Sequence, residues 1–434
     1  MILSILFFLI LLSYSIFSYS LLDPNLVLTS NQSYWAFQNF MWQKFYSNGM
    51  LMAYVYFGLI AGLFILYFHI LEKLQSNKIE LKNIIKSKYL YFFILIIAPL
   101  FFSYNSLSHD IFNYVFNAKI VSYYNQDPHL VSALSFPDDL WLRFMHNTHT
   151  TAPYGKGWTY LSLIPFYFGF GKFTLTLVSF RIWSFLGLLA LYFSLQHLMK
   201  SIHGRFLYLY ELGIVFLNPL FLIETISNYH NDLWMMSLAI LGMSLIILPI
   251  KKQFIEIKKY QYFLISILFL TLSIYIKLST IALIPIWIII IGFSIYLSKK
   301  SISLVSIFNN KLSIVNFFKQ KFINVFLQNI ISYIPDLAGF LMFLPLFTAR
   351  SQQFLPWYML WVLVWTPMMR SKLLRNLIIV FTISSSMRYL PWLANNLEFN
   401  NQVIFNQKLI TWIIPFIYLF TNLRKISLKS KQTL

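Results

Sequence analysis

The sequence predicts an all-α polytopic membrane protein: a transmembrane helical bundle of about twelve spans, with a long outer loop that carries interfacial helices. Three observations predict it. Of the 434 residues, 59% are hydrophobic and only 11% are charged, whereas a soluble domain carries about 25% charged residues. Apolar runs near 20 residues recur from end to end. Each is long enough to cross about 30 Å of hydrocarbon at about 1.5 Å rise per residue. Third, basic and acidic residues sort into alternate loops.

The first run, residues 2–22, has no Lys or Arg before it and no clear small-x-small cleavage site. It reads as a retained span rather than a cleaved signal. Further spans are read at 50–71, 89–108, 173–196, 206–222, 232–250, 260–277, 279–298, 333–349, 354–369, 375–393 and 408–423. Segment 158–170, WTYLSLIPFYFGF, is short for a span and reads as re-entrant or interfacial. Residues 302–330 place apolar side chains at helical spacing with lysines between them, the pattern of a helix lying on the inner membrane surface. The chain thus divides into a transmembrane module that carries most of the candidate chemistry (1–300, with the outer loop 109–157), an interfacial segment (301–332) and a C-terminal transmembrane block (333–434).

Net charge is +20, and loops 72–88, 200–205, 251–259, 299–321, 370–375 and 424–431 hold 23 of the 33 Lys and Arg residues. The positive-inside rule makes these loops cytoplasmic and puts both termini inside. The charge therefore orients helices, and no nucleic-acid partner is expected. With no cysteine, disulfides, thiol chemistry and cysteine-based metal sites are excluded.

On this topology the polar residues hardest to explain share the outer face. His109 and Asp110 follow the third span. Glu224 ends the fifth, and His230, Asn231 and Asp232 open the sixth. Lys277 ends the seventh, Arg350 precedes the tenth with Trp357 and Tyr358 close behind, and Arg388 approaches the outer end of the eleventh beside Tyr389. Ionisable groups at membrane depth are costly and usually functional, so their gathering at one boundary predicts one site. Each also has a plainer role. Asp110 suits the N-cap of a helix starting at Ile111, and Asn231-Asp232 suits the cap of the sixth span. Lys277 suits a snorkelling lysine, and Trp357 and Tyr358 suit an aromatic belt. TAPYGKGWTY (151–160), which contains Tyr154, reads as a turn-rich entry to a helix. Residues 111–124 read as a helix apolar on one side, with Asn113, Asn117 and Lys119 elsewhere, lying along the interface. Asp110, His230 and Asp232 suit a divalent cation chemically, but without a fixed ligand spacing. No other cofactor is expected.

Several blocks in order resemble the integral-membrane glycosyltransferases of the GT-C superfamily, particularly the bacterial polyprenol-phosphate-mannose-dependent mannosyltransferases. They are HDIFNYVFNAKI with YNQDPH, APYGKGW, FRIWSFLG, LNPLFLIETISNYHNDLWMM, IKLSTIALIP and FLPWYMLW, over about residues 90–395. In those families the first reads like an Asp-Ile-Tyr-x-Tyr helix followed by an Asn-Pro-Tyr turn, and a later one like Asn-Pro…Glu…His-Asn-Asp. The likeness lies in order and spacing rather than in one motif. The chain also departs from the pattern. Tyr154-Gly155-Lys156 stands where Tyr-Gly-Pro is common, Asp127-Pro128-His129 replaces Asn-Pro-Tyr, and two spans precede the one leading to Asp110 where many members have none. These departures bear on donor sugar and acceptor more than on fold.

The resemblance implies transfer of a sugar, mannose in that branch, from a polyprenyl-phosphate donor, or less readily a diphosphate. The acceptor is a hydroxyl of a lipid, glycan or protein, and the reaction occurs on the extracytoplasmic face of the plasma (inner) membrane. It implies Asp110 as general base in a single, inverting displacement. Lys277 first, and Arg350 or Arg388 second, would stabilise the leaving phosphate. Glu224, His230 and Asp232, with His109, Tyr154 and Asn231 beside them, would orient sugar or acceptor, and Trp357 and Tyr358 would stack on a sugar ring. Superfamily members differ in metal use. The competing reading is a transporter or flippase of lipid-linked sugars, which favours internal repeats and coupling residues at the bilayer midplane. Candidates at one boundary favour an enzyme.

Overall fold

The structure, a computed structural model, describes residues 2–432 apart from 24–25, 77–78, 81–86, 253–255, 308–328 and 349–353. Most of the segment expected on the inner surface, 308–328, and Arg350 therefore lie outside the described residues. The described residues form helices joined by turns and loops. In order these are α1 (Ile2–Ser18), α2 (Gln32–Met41), α3 (Gly49–Gln75), α4 (Lys88–Phe101), α5 (Asp110–Ser122), α6 (Lys156–Tyr167) and α7 (Phe173–His203). Then come α8 (Leu209–Phe216), α9 (Pro219–Leu222), α10 (Asp232–Lys252), α11 (Glu256–Ile276) and α12 (Ile284–Ile307). The last are α13 (Ile334–Leu341), α14 (Leu360–Leu363), α15 (Lys372–Met387), α16 (Leu390–Ala394) and α17 (Asn401–Gln432).

Among the described residues, eight helices are long and apolar enough to cross a membrane, or nine if the bent pair Leu209–Phe216 and Pro219–Ser227 is one span. The expected twelve are fewer for local reasons. The run 89–108 yields only the 14 residues of α4, and the apolar helix Ile334–Phe347 is likewise short. The run 354–369 is no span: it breaks into Pro356–Met359, Leu360–Leu363 and Thr366–Met368, since Pro356 and Pro367 can start helical turns but not continue them. It folds back on α13 as a hairpin. Asp336 closes the open end by accepting from the amides of Arg370 (2.9 Å) and Ser371 (2.8 Å). α6 has 12 residues and rises about 18 Å, the short element expected at 158–170.

The helix α10 is the axis of the bundle and packs against α7 and α11. Of its apolar window, 72% is buried, against 22 to 39% for α1, α3, α7, α11, α12 and α17. Those outer helices leave Leu9, Tyr54, Ile65, Leu264, Leu268 and Phe420 exposed, as hydrocarbon-facing surfaces do. The span before α10 is bent by 59° between α8 and α9. Asn218, disfavoured from helix by the proline after it, caps α9 by accepting from Phe221 N at 3.3 Å, and its Nδ2 donates to Thr382 Oγ1 at 3.0 Å. Beyond α9 the chain forms a π-turn, Ile223–Ser227. It then reverses through Tyr229, held at φ 59°, a conformation that non-glycine residues rarely adopt. This irregular stretch delivers Glu224, His230 and Asp232 to the top of α10.

The helix α5 differs from its expected interfacial form. Ile111 to Ala118 are all buried, including Asn113 (6% exposed) and Asn117 (7%). The outer loop folds over it: Lys119 pairs with Asp139 at 2.6 Å and lies 4.1 Å above the Trp141 ring, while Tyr124 OH donates to Asp139 Oδ2 at 2.8 Å. Its polar side meets protein and a cavity instead of open water.

Candidate active site

The helix α5 begins at Asp110, with His109 in the N-cap position and no side-chain cap. The Asp110 carboxylate is therefore not used at the helix end. Its Oδ2 lies 3.4 Å from His230 Nδ1, and His230 Nε2 lies 3.2 Å from Glu224 Oε2. Glu224 also accepts from Tyr389 OH at 2.9 Å and from Asn228 Nδ2 at 2.9 Å. The His230 ring stacks on Trp357 with centroids 3.9 Å apart. Burial works against charge on the Asp110 carboxyl, but the hydrogen bond and charge of His230, with Tyr154 and Lys277, outweigh it and hold the group below the usual carboxylate value. Burial likewise lowers the His230 pKa, but the two carboxylates override it and raise it to about 9.

Asp232, the first residue of α10, anchors a second group. Its Oδ1 accepts from Lys277 Nζ at 2.8 Å and from the indole N–H of Trp361. Lys277 follows the end of α11, and its ammonium lies 5.1 Å from the Tyr358 ring and 5.3 Å from the Trp361 ring. These two rings stack at 4.4 Å, so aromatic faces and a carboxylate together fix one cation.

Both groups meet at a cavity of about 220 Å³, lined by Asp110, Tyr154, Lys277, Trp357 and Tyr358. Asn113 and Asn117, one and two turns along α5 from Asp110, line the same wall, and Thr150 and Thr151 form part of its loop side. Two glycines bring these walls together. Gly155 N donates to Ile276 O at 3.0 Å. A Cβ on Gly155 would lie 2.0 Å from the Tyr275 carbonyl oxygen, and one on Gly157 would lie 2.9 Å from Tyr275 atoms. The segment carrying Tyr154 therefore presses on the end of α11, next to Lys277, only because it lacks side chains there.

The structure thus brings most of the expected residues together, in two layers. Asp110, Tyr154, Lys277, Trp357 and Tyr358 line the cavity, while Glu224, His230 and Asp232 stand behind them, each with a fully buried side chain. Asn231 is 1% exposed with neither amide atom hydrogen-bonded. His109 is elsewhere: it stacks on His146 at 3.8 Å and lies 3.3 Å from Tyr104 OH. Burial, then the neighbouring His146, lower its pKa to about 3. Arg388 donates to Thr411 Oγ1 at 3.2 Å, away from the cavity lining. The cation set Asp110, His230 and Asp232 is not assembled. Both His230 nitrogens face carboxylates, Asp232 is held by Lys277 and Trp361, and the described residues form no group of three or more metal-ligating side chains.

The sequence reading missed Trp361 and gave Tyr389 no role. Trp361 follows Trp357 by four residues, a one-turn repeat inside FLPWYMLW. Asn113 and Asn117 follow Asp110 by three and seven, the spacing of one helical face, and were legible as such.

The family model for the alpha-(1->6)-mannopyranosyltransferase N-terminal domain matches residues 22–292. The chain belongs to this mannosyltransferase family. No curated protein and no solved structure matches the chain. Membership makes the protein a membrane-embedded glycosyltransferase of a mannosyl-transferring family, in line with the resemblance read from the ordered blocks. The matched range holds Asp110, Glu224, His230, Asp232 and Lys277. Trp357, Tyr358, Trp361 and Tyr389 lie beyond it, so in this mannosyltransferase the C-terminal block completes the cluster that the family-matched region begins.

Proposed function

We propose that the protein transfers a mannosyl residue from a polyprenyl phosphate to an acceptor hydroxyl at the extracytoplasmic face of the plasma membrane, as a GT-C-type inverting enzyme. The observation that carries this reading is that Asp110 and Lys277, far apart in sequence, line one cavity. A carboxylate to take a proton and a cation to receive negative charge are the two groups that single displacement at a glycosyl phosphate requires.

The acceptor oxygen attacks the anomeric carbon from the face opposite the phosphate. Its O–H proton passes to Asp110 as the new C–O bond forms. The bond from the anomeric carbon to the phosphate oxygen breaks, its electron pair leaves on the phosphate, and the configuration inverts. The phosphate needs a cation rather than a proton donor. Lys277, 20% exposed and pinned by Asp232, is that cation, a point charge fixed before the charge develops. Trp357 and Tyr358, which line the cavity, stack on the sugar. The acceptor hydroxyl is that of a lipid, a glycan or a protein, and the bilayer holds the donor's isoprenoid tail.

The deciding experiment is transfer in detergent, where no compartment exists. Purified protein is given synthetic polyprenyl-phosphate mannose and envelope lipid and glycan extracts, and products are read by mass spectrometry. Mannosylated product is expected. No product in detergent, together with movement of the lipid-linked sugar across proteoliposomes, would overturn the enzyme reading in favour of a flippase. Turnover with the diphosphate donor alone would overturn the donor assignment.

A further inference from the structure

Glu224 and His230 are out of reach of a sugar in the cavity. Neither lines it, and both side chains are 0% exposed. Yet they form one line of contacts that ends at the group facing the cavity. Tyr389 OH and Asn228 Nδ2 donate to Glu224, whose Oε2 lies 3.2 Å from His230 Nε2, and His230 Nδ1 lies 3.4 Å from Asp110 Oδ2. The stack on Trp357 stops the ring from turning out of this line. A neutral imidazole carries one N–H and one lone pair. Between two carboxylates, a neutral ring turns its lone pair on one of them, whereas an imidazolium satisfies both.

We propose that Glu224 and His230 are positioning residues: the buried Glu224 holds His230 as an imidazolium, and that imidazolium fixes the orientation and basicity of Asp110 from behind. This rests on the reading of Asp110 as general base. It assigns two residues of the ETISNYHND stretch to the base rather than to the sugar. His230 is already protonated, so it does not receive the acceptor's proton. The proton resides on Asp110 after transfer and leaves to solvent through the cavity.

Asp110 and Glu224 face the His230 nitrogens and Trp357 faces its ring. Tyr154, Lys277 and Tyr114 act on Asp110, with Asp232 beyond Tyr114. Tyr389 donates to Glu224, with Tyr14 and Tyr56 near it. The His230 pKa is raised to about 9 from the ordinary 6.5. The interaction is therefore complete below the ordinary value and is lost as pH rises through about 9.

The test is kcat and KM for the full-length enzyme with synthetic polyprenyl-phosphate mannose, from about pH 6 to 10, for wild type, Glu224→Gln and His230→Gln. Wild type should show an alkaline limb near pH 9. Glu224→Gln should move that limb down by about one unit or more and cut kcat about 10- to 100-fold. KM for the donor should stay within about 2-fold, since no substrate contact is lost. His230→Gln should abolish the limb, which keeps the test alive should Glu224→Gln fail to fold. An alkaline limb unmoved in the variants, with donor KM raised about 10-fold or more, would overturn the proposal and make these residues substrate contacts. Failure of the general-base reading looks different: Asp110→Asn would then retain activity, whatever the limb does.

Discussion

The amide of Gly155 donates to the carbonyl of Ile276 at 3.0 Å, and a Cβ on Gly155 would come within 2.0 Å of the Tyr275 carbonyl oxygen. This contact joins the loop that carries Tyr154 to the helix end that carries Lys277. Gly155→Ala must push the two apart, because the obstacle is backbone and cannot rotate away. Overpacking of this kind costs about 1–3 kcal/mol, and displacement of about 1 Å costs about 100-fold in rate. Thermal unfolding in detergent and the transfer assay should register both losses. An alanine variant with wild-type turnover would show that the contact does not set the site.

Asp110→Asn keeps the side-chain shape and removes the proposed base. Transfer should fall about 100- to 10,000-fold, with donor KM little changed and the chain still folded in detergent. The pH dependence should agree in sign. The Asp110 carboxyl is held below its ordinary value of 3.8 by His230, Tyr154 and Lys277 against the opposing effect of burial. Its ionised form is therefore fully present above that value and lost only as pH falls through the lower folded one. Rate profiles on wild type should show no acid limb between about pH 5 and 6.5, where an unperturbed histidine base would produce one.

A double variant separates the proposed donor contact of Lys277 from its pairing with Asp232. Its partner Asp232 has a side chain 0% exposed, so Lys277→Ala strands a buried carboxylate at a cost of about 3–5 kcal/mol. Adding Asp232→Asn should recover most of that stability. It should not recover donor binding, and the double variant should keep a donor KM raised about 10-fold or more. Recovery of both would reduce Lys277 to a structural partner.

Asp336 is remote from the cavity but closes the hairpin that presents Trp357, Tyr358 and Trp361. Asp336→Ala removes the acceptor of the Arg370 and Ser371 amides, a loss of about 1–3 kcal/mol. Hydrogen exchange over residues 356–370 should rise, and donor KM should rise with it. Faster exchange without any kinetic change would mean that the aromatic wall does not bind the sugar.

Parts of the site were legible because they are short-range. A helix start next to Asp110, expected one residue later than it falls, the one-face spacing of Asp110, Asn113 and Asn117, and the cluster Glu224…His230-Asn231-Asp232 can be read within a single segment. What could not be read was which residue meets which. Arg388 and Tyr389 are neighbours, and the more strongly charged one is the natural choice. Yet the tyrosine reaches Glu224, 165 positions away, while the arginine meets Thr411. The same holds for Trp361, which bonds Asp232 across 129 positions. His109 and Asp110 are adjacent, but on a helix start adjacent side chains diverge, and only Asp110 reaches the cavity.

By itself the sequence determined the class of the protein, a helical membrane bundle, and raised the expectation that its ionisable groups form one site. Those are properties of composition, run length and loop charge, which need no long-range contact, and the ordered blocks carried the resemblance to the family. The tertiary structure decided which polar side chains line the cavity and which stand behind them. That distinction depends on burial, and burial is set by how the bent Asn218–Pro219 span, the Gly155 contact and the returning 354–369 hairpin pack around α10. A pattern along one strand of letters holds the depth of a residue in the bilayer but not the direction in which its neighbours approach.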